Sequence, residues 1–171
     1  MPVKSVYLIG SLRNPEIPVI AKALRAFDLD VFDDWYAAGP EADDYWQAYE
    51  QNRGHDFATA LEGYAAGHVF EYDKAHLDRC DVAVLVMPAG KSGHLEFGYM
   101  IGQGKPGYIL LPKEPERFDV MYRFAAGGVY KNADDIGYDI THNGQTITYT
   151  GYQAPPDFHY NIQPNPPCGA V

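Results

Sequence analysis

The size and charge of the chain limit its possible partners. It has 171 residues, of which 46% are hydrophobic and 21% are charged, enough to bury the core of one globular domain. Thirteen Lys and Arg residues against 23 Asp and Glu residues give a formal net charge of −10. Because an acidic surface repels polyphosphates and anionic lipids, we expect neither a nucleic-acid polymer nor a membrane as a partner.

The cysteines and the N-terminus predict a cytoplasmic protein. Cys80 lies at the start of an apolar run and Cys168 in a proline-rich tail, so we expect no disulfide framework. No apolar run reaches the ~18 residues of a transmembrane helix. The N-terminal residues "MPVKSVYLIGS" do not follow the pattern of a signal peptide.

The first part of the chain predicts a strand, a helix and a second strand. Residues 3–10, "VKSVYLIG", are apolar without alternation, as in a strand that is covered on both faces. A helix follows, with Pro15 and Pro18 in its opening turn. Residues 28–35, "DLDVFDDW", predict a short second strand. The apolar face of the helix consists of Ile17, Ile20, Ala21 and Leu24.

The middle of the chain is less regular. Residues 36–54 are acidic, aromatic and rich in turn formers, and their pattern assigns no element. Residues 56–79 predict a helix that is bent or broken near Gly67. Residues 81–88, "DVAVLVMP", predict a buried third strand.

Four further elements complete the predicted domain. We expect a helix from near Gly93 with Gly104 as its C-cap, followed by a fourth strand over residues 107–112. Residues 115–126 predict a short helical turn, and residues 128–136 supply a fifth strand.

The alternation of strands and helices predicts a three-layer, flavodoxin-like α/β domain with a mostly parallel sheet of five strands. Ligands of such sheets bind beyond the carboxyl ends of the strands, where the strand order reverses. The loops of interest are therefore "GSLRNP", "MPAGKSGHLE" and "PKEPERFD".

The C-terminal part has a different pattern. In residues 138–152, the pair Asn143-Gly144 separates two alternating Thr/Ile/Tyr runs, which predicts a β-hairpin with a type I′ turn. The remaining residues contain five prolines and are expected to be irregular. We therefore divide the chain into an α/β domain of residues 1–136 and a C-terminal extension of residues 137–171.

A single acid, Glu96, lies in the apolar, glycine-rich helix after the third strand. If the helix begins near Gly93, Glu96 lies in its first turn, where the helix dipole and free N–H groups stabilise a carboxylate. Such an acid can cap the turn, or it can act as a nucleophile toward an anomeric carbon. The spacing alone favours the cap.

Three segments of the chain resemble a known family. They are "VYLIGSLRN" near the start, an Asp eight residues before the "DVAVLV" strand, and "GHLEFGYMIGQGKPGYILL". Over about residues 3–125 the sequence is similar to the nucleoside 2-deoxyribosyltransferases and to their relatives, the nucleoside 5′-monophosphate N-glycosidases. The resemblance implies a homodimer or a higher homo-oligomer in which neighbouring subunits share active sites.

The resemblance also implies three catalytic residues. Glu96 matches the nucleophile that forms a covalent glycosyl intermediate. Asp73 matches the acid that handles the ring proton of the departing base, which is a poor leaving group as an anion. Tyr7 matches a tyrosine that hydrogen-bonds the nucleophile. From the residues alone, the pattern favours Asp73 as a solvated helix acid paired with Lys74 or Arg79, and Tyr7 as a packed core residue.

Two segments bear on the identity of the substrate, and they favour different substrates. Ser11 and Arg13 match the Gly-Ser-x-Arg loop that grips the phosphate in family members acting on 5′-monophosphates. Alternatively, Ser11 caps the first helix and Arg13 pairs with an acid such as Glu16. In "FDVMY", Asp119 stands where many transferases have Asn and Met121 matches. These two residues are expected to hold the sugar across a subunit contact, and the Asp119 charge disfavours a 5′-phosphate.

The resemblance thus implies 2-deoxyribosyl transfer between free nucleobases, with hydrolysis of nucleoside 5′-monophosphates as the alternative and a non-catalytic nucleotide-binding module as a third possibility. The histidines lack metal-ligand spacing and no phosphate-binding P-loop motif is present, so we expect no metal and no cofactor. The expected substrate-binding residues are Gly10, Ser11, Arg13, Gly90, Ser92, Gly93, His94, Asp119 and Met121.

Overall fold

The computed structural model describes residues 3–142. Its five strands form one all-parallel sheet in the order β2-β1-β3-β4-β5. This order confirms the predicted flavodoxin-like α/β fold and places the reversal of strand order between β1 and β3. The strands are β1 (Ser5–Ile9), β2 (Asp30–Phe32), β3 (Val82–Val86), β4 (Gly107–Leu110) and β5 (Gly128–Tyr130).

Within residues 3–142, six α-helices and two 3₁₀ turns accompany the sheet. The 3₁₀ turns are Asp34–Ala38, after β2, and Val120–Phe124, before β5. In this part of the chain, no helix is long and apolar enough to cross a lipid bilayer. The helices are α1 (Ile17–Arg25), α2 (Ala42–Asn52), α3 (Phe57–Leu61), α4 (Tyr64–Arg79), α5 (Lys91–Gly102) and α6 (Ala133–His142).

The sheet is covered on both faces. Val6 and Leu8 of β1 face the layer of α1 and α6, whereas Tyr7 and Ile9 face the layer of α4 and α5, because successive side chains of a strand point to opposite faces. All five residues of β3 are buried, as its continuous apolar sequence predicts. The predicted apolar face of α1 is buried as well.

One predicted helix break in the middle of the chain differs from the structure. The helical stretch breaks at Gly63, which is the N-cap of α4, whereas Gly67 lies inside α4. The prediction of a break near Gly67 is therefore wrong, and no side chain lies close enough to Gly67 to require a glycine there. Gly104 follows the end of α5 with a φ of +80°, as predicted for a C-cap glycine.

The predicted hairpin is wrong where the structure describes it. Residues 138–142 belong to α6 and not to a strand. Asn132 precedes this helix and accepts a hydrogen bond from the Asp135 N–H, at 2.9 Å, while Ile136 and Ile140 are buried with the four-residue spacing of a helix. The predicted domain boundary at residue 136 falls inside α6. The rest of the predicted hairpin and the tail lie outside the described residues.

Candidate active site

Two loops meet at the reversal of strand order, between β1 and β3. A cavity of about 430 Å³ lies between the loop after β1 and the loop after β3, the position expected for a ligand in this fold. A second cavity, of about 710 Å³, adjoins the start of α5. Ala89 and Gly90 line both cavities. The first is also lined by Ser11, Arg13, Asn14, Pro15 and Pro88, and the second by Lys91, His94 and Leu95.

Helix α5 begins earlier than the sequence predicts. Gly90 is its N-cap and Lys91 its first residue, so the prediction of a start near Gly93 is wrong. Gly93 is instead a packing residue, because a Cβ atom there would lie 3.1 Å from Cγ2 of Ile9. The glycine lets α5 lie close to β1.

Because α5 starts earlier than predicted, Glu96 lies farther from the helix N-terminus than the sequence suggested. Glu96 is the sixth residue of the helix and lies in its second turn, so it does not occupy the first-turn position that a capping acid requires. The helix N-terminus therefore does not keep Glu96 ionised. Burial raises the pKa of Glu96 from its ordinary 4.5 to about 7, and the negative charge of Asp73 adds to the rise.

Asp73 lies on α4 and is only partly exposed. Burial raises the pKa of its carboxyl group. The alternative of an ion pair with Lys74 does not hold, because Nζ of Lys74 lies 2.7 Å from Oδ2 of Asp78. Asp73 is therefore a half-buried acid without a cationic partner among residues 3–142, which is unusual for an ordinary surface carboxylate.

Tyr7 completes a cluster with the two acids. It is 1% exposed, and its ring centroid lies 5.0 Å from that of Phe32 on β2. Burial raises the pKa of Tyr7, and the charges of Glu96 and Asp73 raise it further. Within residues 3–142 no hydrogen bond joins Tyr7 to Glu96, so the expected direct bond is not formed in this structure.

The electrostatics of the two acids are coupled. Each ionised carboxylate opposes ionisation of the other, since like charges in a partly desolvated site repel. A pKa of about 7 for Glu96 means that the pair retains a proton in many molecules at neutral pH. Because the ionised Asp73 raises the pKa of Glu96, the retained proton lies on Glu96 in the free protein. Nucleophilic attack with acid assistance requires this proton on Asp73 and an ionised Glu96, so the proton has to pass from Glu96 to Asp73 before attack.

Three rings beside Tyr7 were missed by the sequence analysis. The His76 ring stacks on Phe32 with a centroid distance of 3.8 Å, and its centroid lies 4.8 Å from that of Tyr72. Nδ1 of His76 is buried without a hydrogen-bond partner among residues 3–142. The spacing of Tyr72 and His76 around Asp73 on one helix could have indicated that they share its surroundings.

The loop after β1 is held by its own side chains. The Ser11 hydroxyl accepts a hydrogen bond from the Arg13 N–H at 3.2 Å, so Ser11 stabilises the loop and does not cap α1. Arg13 pairs with an acid, as the alternative interpretation predicted, but the acid is Asp44 of α2, at 2.9 Å, and not Glu16. Both side chains of this pair are more than half exposed.

For three of the expected substrate-binding residues, the structure shows a local role or position. A Cβ atom on Gly10 would lie 2.5 Å from Cδ1 of Ile17, so Gly10 permits the start of α1 to pack on the sheet. Gly90 has open space beside it and caps α5. Ser92 is exposed in the first turn of α5.

His94 is engaged by protein groups on both ring nitrogens. Nδ1 lies 2.8 Å from the Gly90 carbonyl oxygen, and Nε2 lies 2.9 Å from the Tyr122 hydroxyl. The Tyr122 hydroxyl also contacts Sδ of Met87 at 3.8 Å. Tyr122, which the sequence analysis did not single out, thus fastens the Val120–Phe124 turn to the start of α5.

Asp119 and Met121 come just before Tyr122 in the chain. The Asp119 carboxylate accepts a hydrogen bond from the Met121 N–H at 2.9 Å and so caps the 3₁₀ turn. The Met121 side chain is 58% exposed. Neither residue lines the two cavities described above.

Six of the expected site residues therefore form two groups. Tyr7, Asp73 and Glu96 form one cluster between the sheet and helices α4 and α5, whereas Ser11, Arg13 and Gly90 line the cavity at the strand reversal. The three clustered residues line neither cavity. Among residues 3–142 there is no group of three side chains suited to hold a metal ion.

Comparison with protein-family models gives no match, and comparison with curated proteins gives none either. The family resemblance thus rests on the quoted sequence segments alone.

Proposed function

We propose that the protein cleaves the N-glycosidic bond of a 2′-deoxynucleoside and transfers the sugar to another nucleobase through a covalent bond to Glu96. The observation that supports this proposal best is the clustering of Tyr7, Asp73 and Glu96. These residues come from β1, α4 and α5 and affect one another's ionisation. The resemblance assigns the three catalytic roles to these same residues.

In the first half of the reaction, an oxygen of the Glu96 carboxylate bonds to the anomeric carbon while the bond from that carbon to the base nitrogen breaks. The electron pair of the broken bond stays on the base, and Asp73 gives its proton to a ring nitrogen. Burial raises the pKa of Asp73, which is the direction that this role needs, and the role requires that the proton held by Glu96 in the free protein has passed to Asp73.

In the second half, an incoming base loses its ring proton to the Asp73 carboxylate and attacks the anomeric carbon. The bond to Glu96 breaks, and its electron pair returns to the carboxylate. Tyr7 stays protonated throughout because its pKa is raised, so its hydroxyl can donate a hydrogen bond to whichever carboxylate is ionised.

Hydrolysis of a nucleoside 5′-monophosphate is the second candidate function. It is supported by Ser11 and Arg13, which line the cavity at the strand reversal. Against it, Asp44 already pairs with Arg13. A non-catalytic nucleotide-binding module is less well supported, because a binding site gains nothing from two partly buried acids of raised pKa.

We further propose that two copies of the chain associate and share their sites, in the cytoplasm. Exposed apolar side chains lie on and beside the Val120–Phe124 turn and at the start of α5, which the hydrogen bond between Tyr122 and His94 joins, and a patch of this kind marks an interface more often than a free surface. These side chains are Leu95, Phe118, Val120, Met121 and Phe124, each more than half exposed. Light scattering during size-exclusion chromatography tests association, and Phe118→Asp should shift a dimer toward monomer.

The function is tested by incubating a deoxynucleoside with a second free base and separating the products by chromatography. We expect a new nucleoside from the wild type and from Glu62→Gln, a control at an exposed acid outside the cluster, but none from Glu96→Gln. Mass spectrometry of protein treated with a 2-fluoro-substituted nucleoside should show the sugar on Glu96. No new nucleoside and no adduct would contradict the proposal.

A further inference from the structure

Helices α4 and α5, which carry the two acids, are joined by the side chain of Asp78. Its Oδ1 accepts hydrogen bonds from the Tyr99 hydroxyl at 2.6 Å and from Nε2 of Gln103 at 3.1 Å. Its Oδ2 accepts one from Nζ of Lys74 at 2.7 Å. One carboxylate therefore binds side chains from its own helix and from the end of the neighbouring one.

The same junction is reinforced by Lys105, which follows α5. Its Nζ donates hydrogen bonds to the carbonyl oxygens of Leu77 and Asp78, at 2.6 and 2.8 Å. The Lys74 ammonium group also lies over the Tyr99 ring, 5.6 Å from its centroid. Both side-chain and backbone groups in the last turns of α4 are thus tied to α5 and its following loop.

The junction lies close to the acids on both helices. Lys74 is the residue after Asp73, and Tyr99 lies three residues after Glu96. Residues three and four apart on a helix are neighbours on its surface. A movement of α5 relative to α4 at Asp78 therefore changes the separation of the two catalytic acids about one helical turn away.

The acids themselves push the helices apart when both are ionised, because like charges repel more strongly in a partly desolvated site. Among residues 3–142, the groups whose charges bear on this cluster are Asp73 and Tyr72 on α4, Cys80 directly after α4, Glu96 on α5 and Tyr7 on the sheet. None of them is a cation. An attractive contact elsewhere between the helices has to oppose the repulsion.

We propose that Asp78 is a positioning residue that clamps α4 to α5 and so sets the distance between Asp73 and Glu96. The inference rests on the proposed function for its catalytic meaning. Attack on the anomeric carbon and protonation of the base need both carboxyl groups positioned against one substrate, so a small displacement of one helix misplaces the acid or the nucleophile. Asp78 touches neither substrate nor reacting atoms and acts through the helices.

The first test needs no substrate. Carboxyl titration by ¹³C NMR gives the pKa of Glu96 in the wild type and in Asp78→Ala. Because the nearby Asp73 charge raises the pKa of Glu96, releasing the clamp should lower this pKa below about 7. Asp78→Asn should give a smaller decrease, since its amide oxygen still accepts from Tyr99.

The matched control is Asp135→Asn. Asp135 is also an exposed helical acid that accepts a side-chain hydrogen bond, from Asn132 at 2.7 Å, but it lies on α6 in the opposite layer. Its loss should leave the Glu96 titration unchanged. Should Asp78→Ala fail to fold, Tyr99→Phe removes a single hydroxyl group and should lower the pKa in the same direction. An unchanged Glu96 pKa in the folded Asp78 or Tyr99 variants overturns the proposal.

The second test uses transfer activity. We expect Asp78→Ala to lower kcat by about 10-fold or more through misplacement of the acids, with little change in KM, and to move the acidic limb of the pH profile to lower pH. Loss of stability alone would lower activity without moving that limb. If the wild type shows no transfer, the proposed function fails while the NMR titration still decides the role of Asp78.

Discussion

The carboxylate of Asp73 on α4 raises the pKa of Glu96 on α5, although the two residues are far apart in the sequence and share no hydrogen bond within residues 3–142. Burial has the larger effect on Glu96 and the charge of Asp73 the smaller one. The relationship means that a change at either acid must appear in the titration of the other.

Replacing Asp73 by Asn should therefore lower the pKa of Glu96. With the like charge gone, Glu96 ionises at lower pH, so the acidic limb of sugar attachment should move to lower pH. Attachment is measured by mass spectrometry with a 2-fluoro-substituted nucleoside whose base leaves without protonation. Transfer between ordinary bases should be abolished, since it needs the Asp73 proton.

If the acidic limb of sugar attachment lies at the same pH in Asp73→Asn and in the wild type, Asp73 does not act on Glu96. Glu62→Gln, which removes an exposed acid outside the cluster, serves as the reference for nonspecific effects of lost charge.

The raised pKa of Glu96 also predicts a pH-dependent cost in stability. The folded value of about 7 exceeds the ordinary 4.5, so the folded state binds the proton more tightly. The stabilisation of the folded state by protonated Glu96 is complete below pH ~4.5 and is lost as the pH rises through 7. Glu96→Gln, which is neutral at every pH, should be about 3 kcal/mol more stable than the wild type at pH 8, relative to any difference at pH 4.

Urea unfolding at the two pH values measures this difference. A stability gap between Glu96→Gln and the wild type that stays constant from pH 4 to pH 8 would mean that Glu96 titrates like an exposed acid.

Two glycines of α5 should respond in opposite ways to substitution by alanine. At Gly93 a new Cβ atom would lie 3.1 Å from Cγ2 of Ile9, whereas Gly98 has open space. Gly93→Ala should destabilise the protein by about 1 kcal/mol, because α5 must move away from β1. Gly98→Ala should stabilise it by about 0.5–1 kcal/mol through helix propensity.

Thermal or urea unfolding of the two variants gives the comparison. Transfer activity should fall in Gly93→Ala only, since the displaced helix carries Glu96. Equal stability of both variants would mean that the contact between Gly93 and Ile9 relaxes without cost.

The ion pair between Arg13 and Asp44 should affect the choice between nucleosides and monophosphates. An exposed pair contributes about 0–1 kcal/mol, so Asp44→Asn should lower KM for a 5′-monophosphate by up to ~5-fold and leave KM for the nucleoside unchanged. Arg13→Ala should raise KM for the monophosphate alone. Initial-rate measurements with both substrates test this, and identical effects on both would exclude the cavity at Ser11 and Arg13 as a phosphate site.

The fold was predictable where an apolar pattern fits only one type of secondary structure. The continuous apolar sequences of β1 and β3 and the apolar face of α1 predicted buried strands and a packed helix, and the structure confirms them. The alternation in residues 138–142 fits a strand or a helix equally well, and a strong turn signal beyond it favoured the strand. The cap formed by Asn132 and Asp135 was the signal for a helix.

The surroundings of the candidate site residues were not predictable from the sequence. Gly93 resembles a helix cap in the sequence, and only its proximity to Ile9 identifies it as a packing glycine inside α5. The shift of the helix start moves Glu96 out of the first turn and reverses the expected direction of its pKa. Contacts between distant residues, such as Asp78 with Tyr99, leave no periodic pattern in the sequence.

The position of β1 between β2 and β3 has a consequence for synthesis of the chain. Until β3 has left the ribosome, β1 is an edge strand whose apolar residues on one side have no neighbour. Exposed apolar edges of this kind promote association with other chains. Fragments that end before Val82 should therefore aggregate, whereas fragments that include β3 and α5 gain a sheet in which β1 is enclosed.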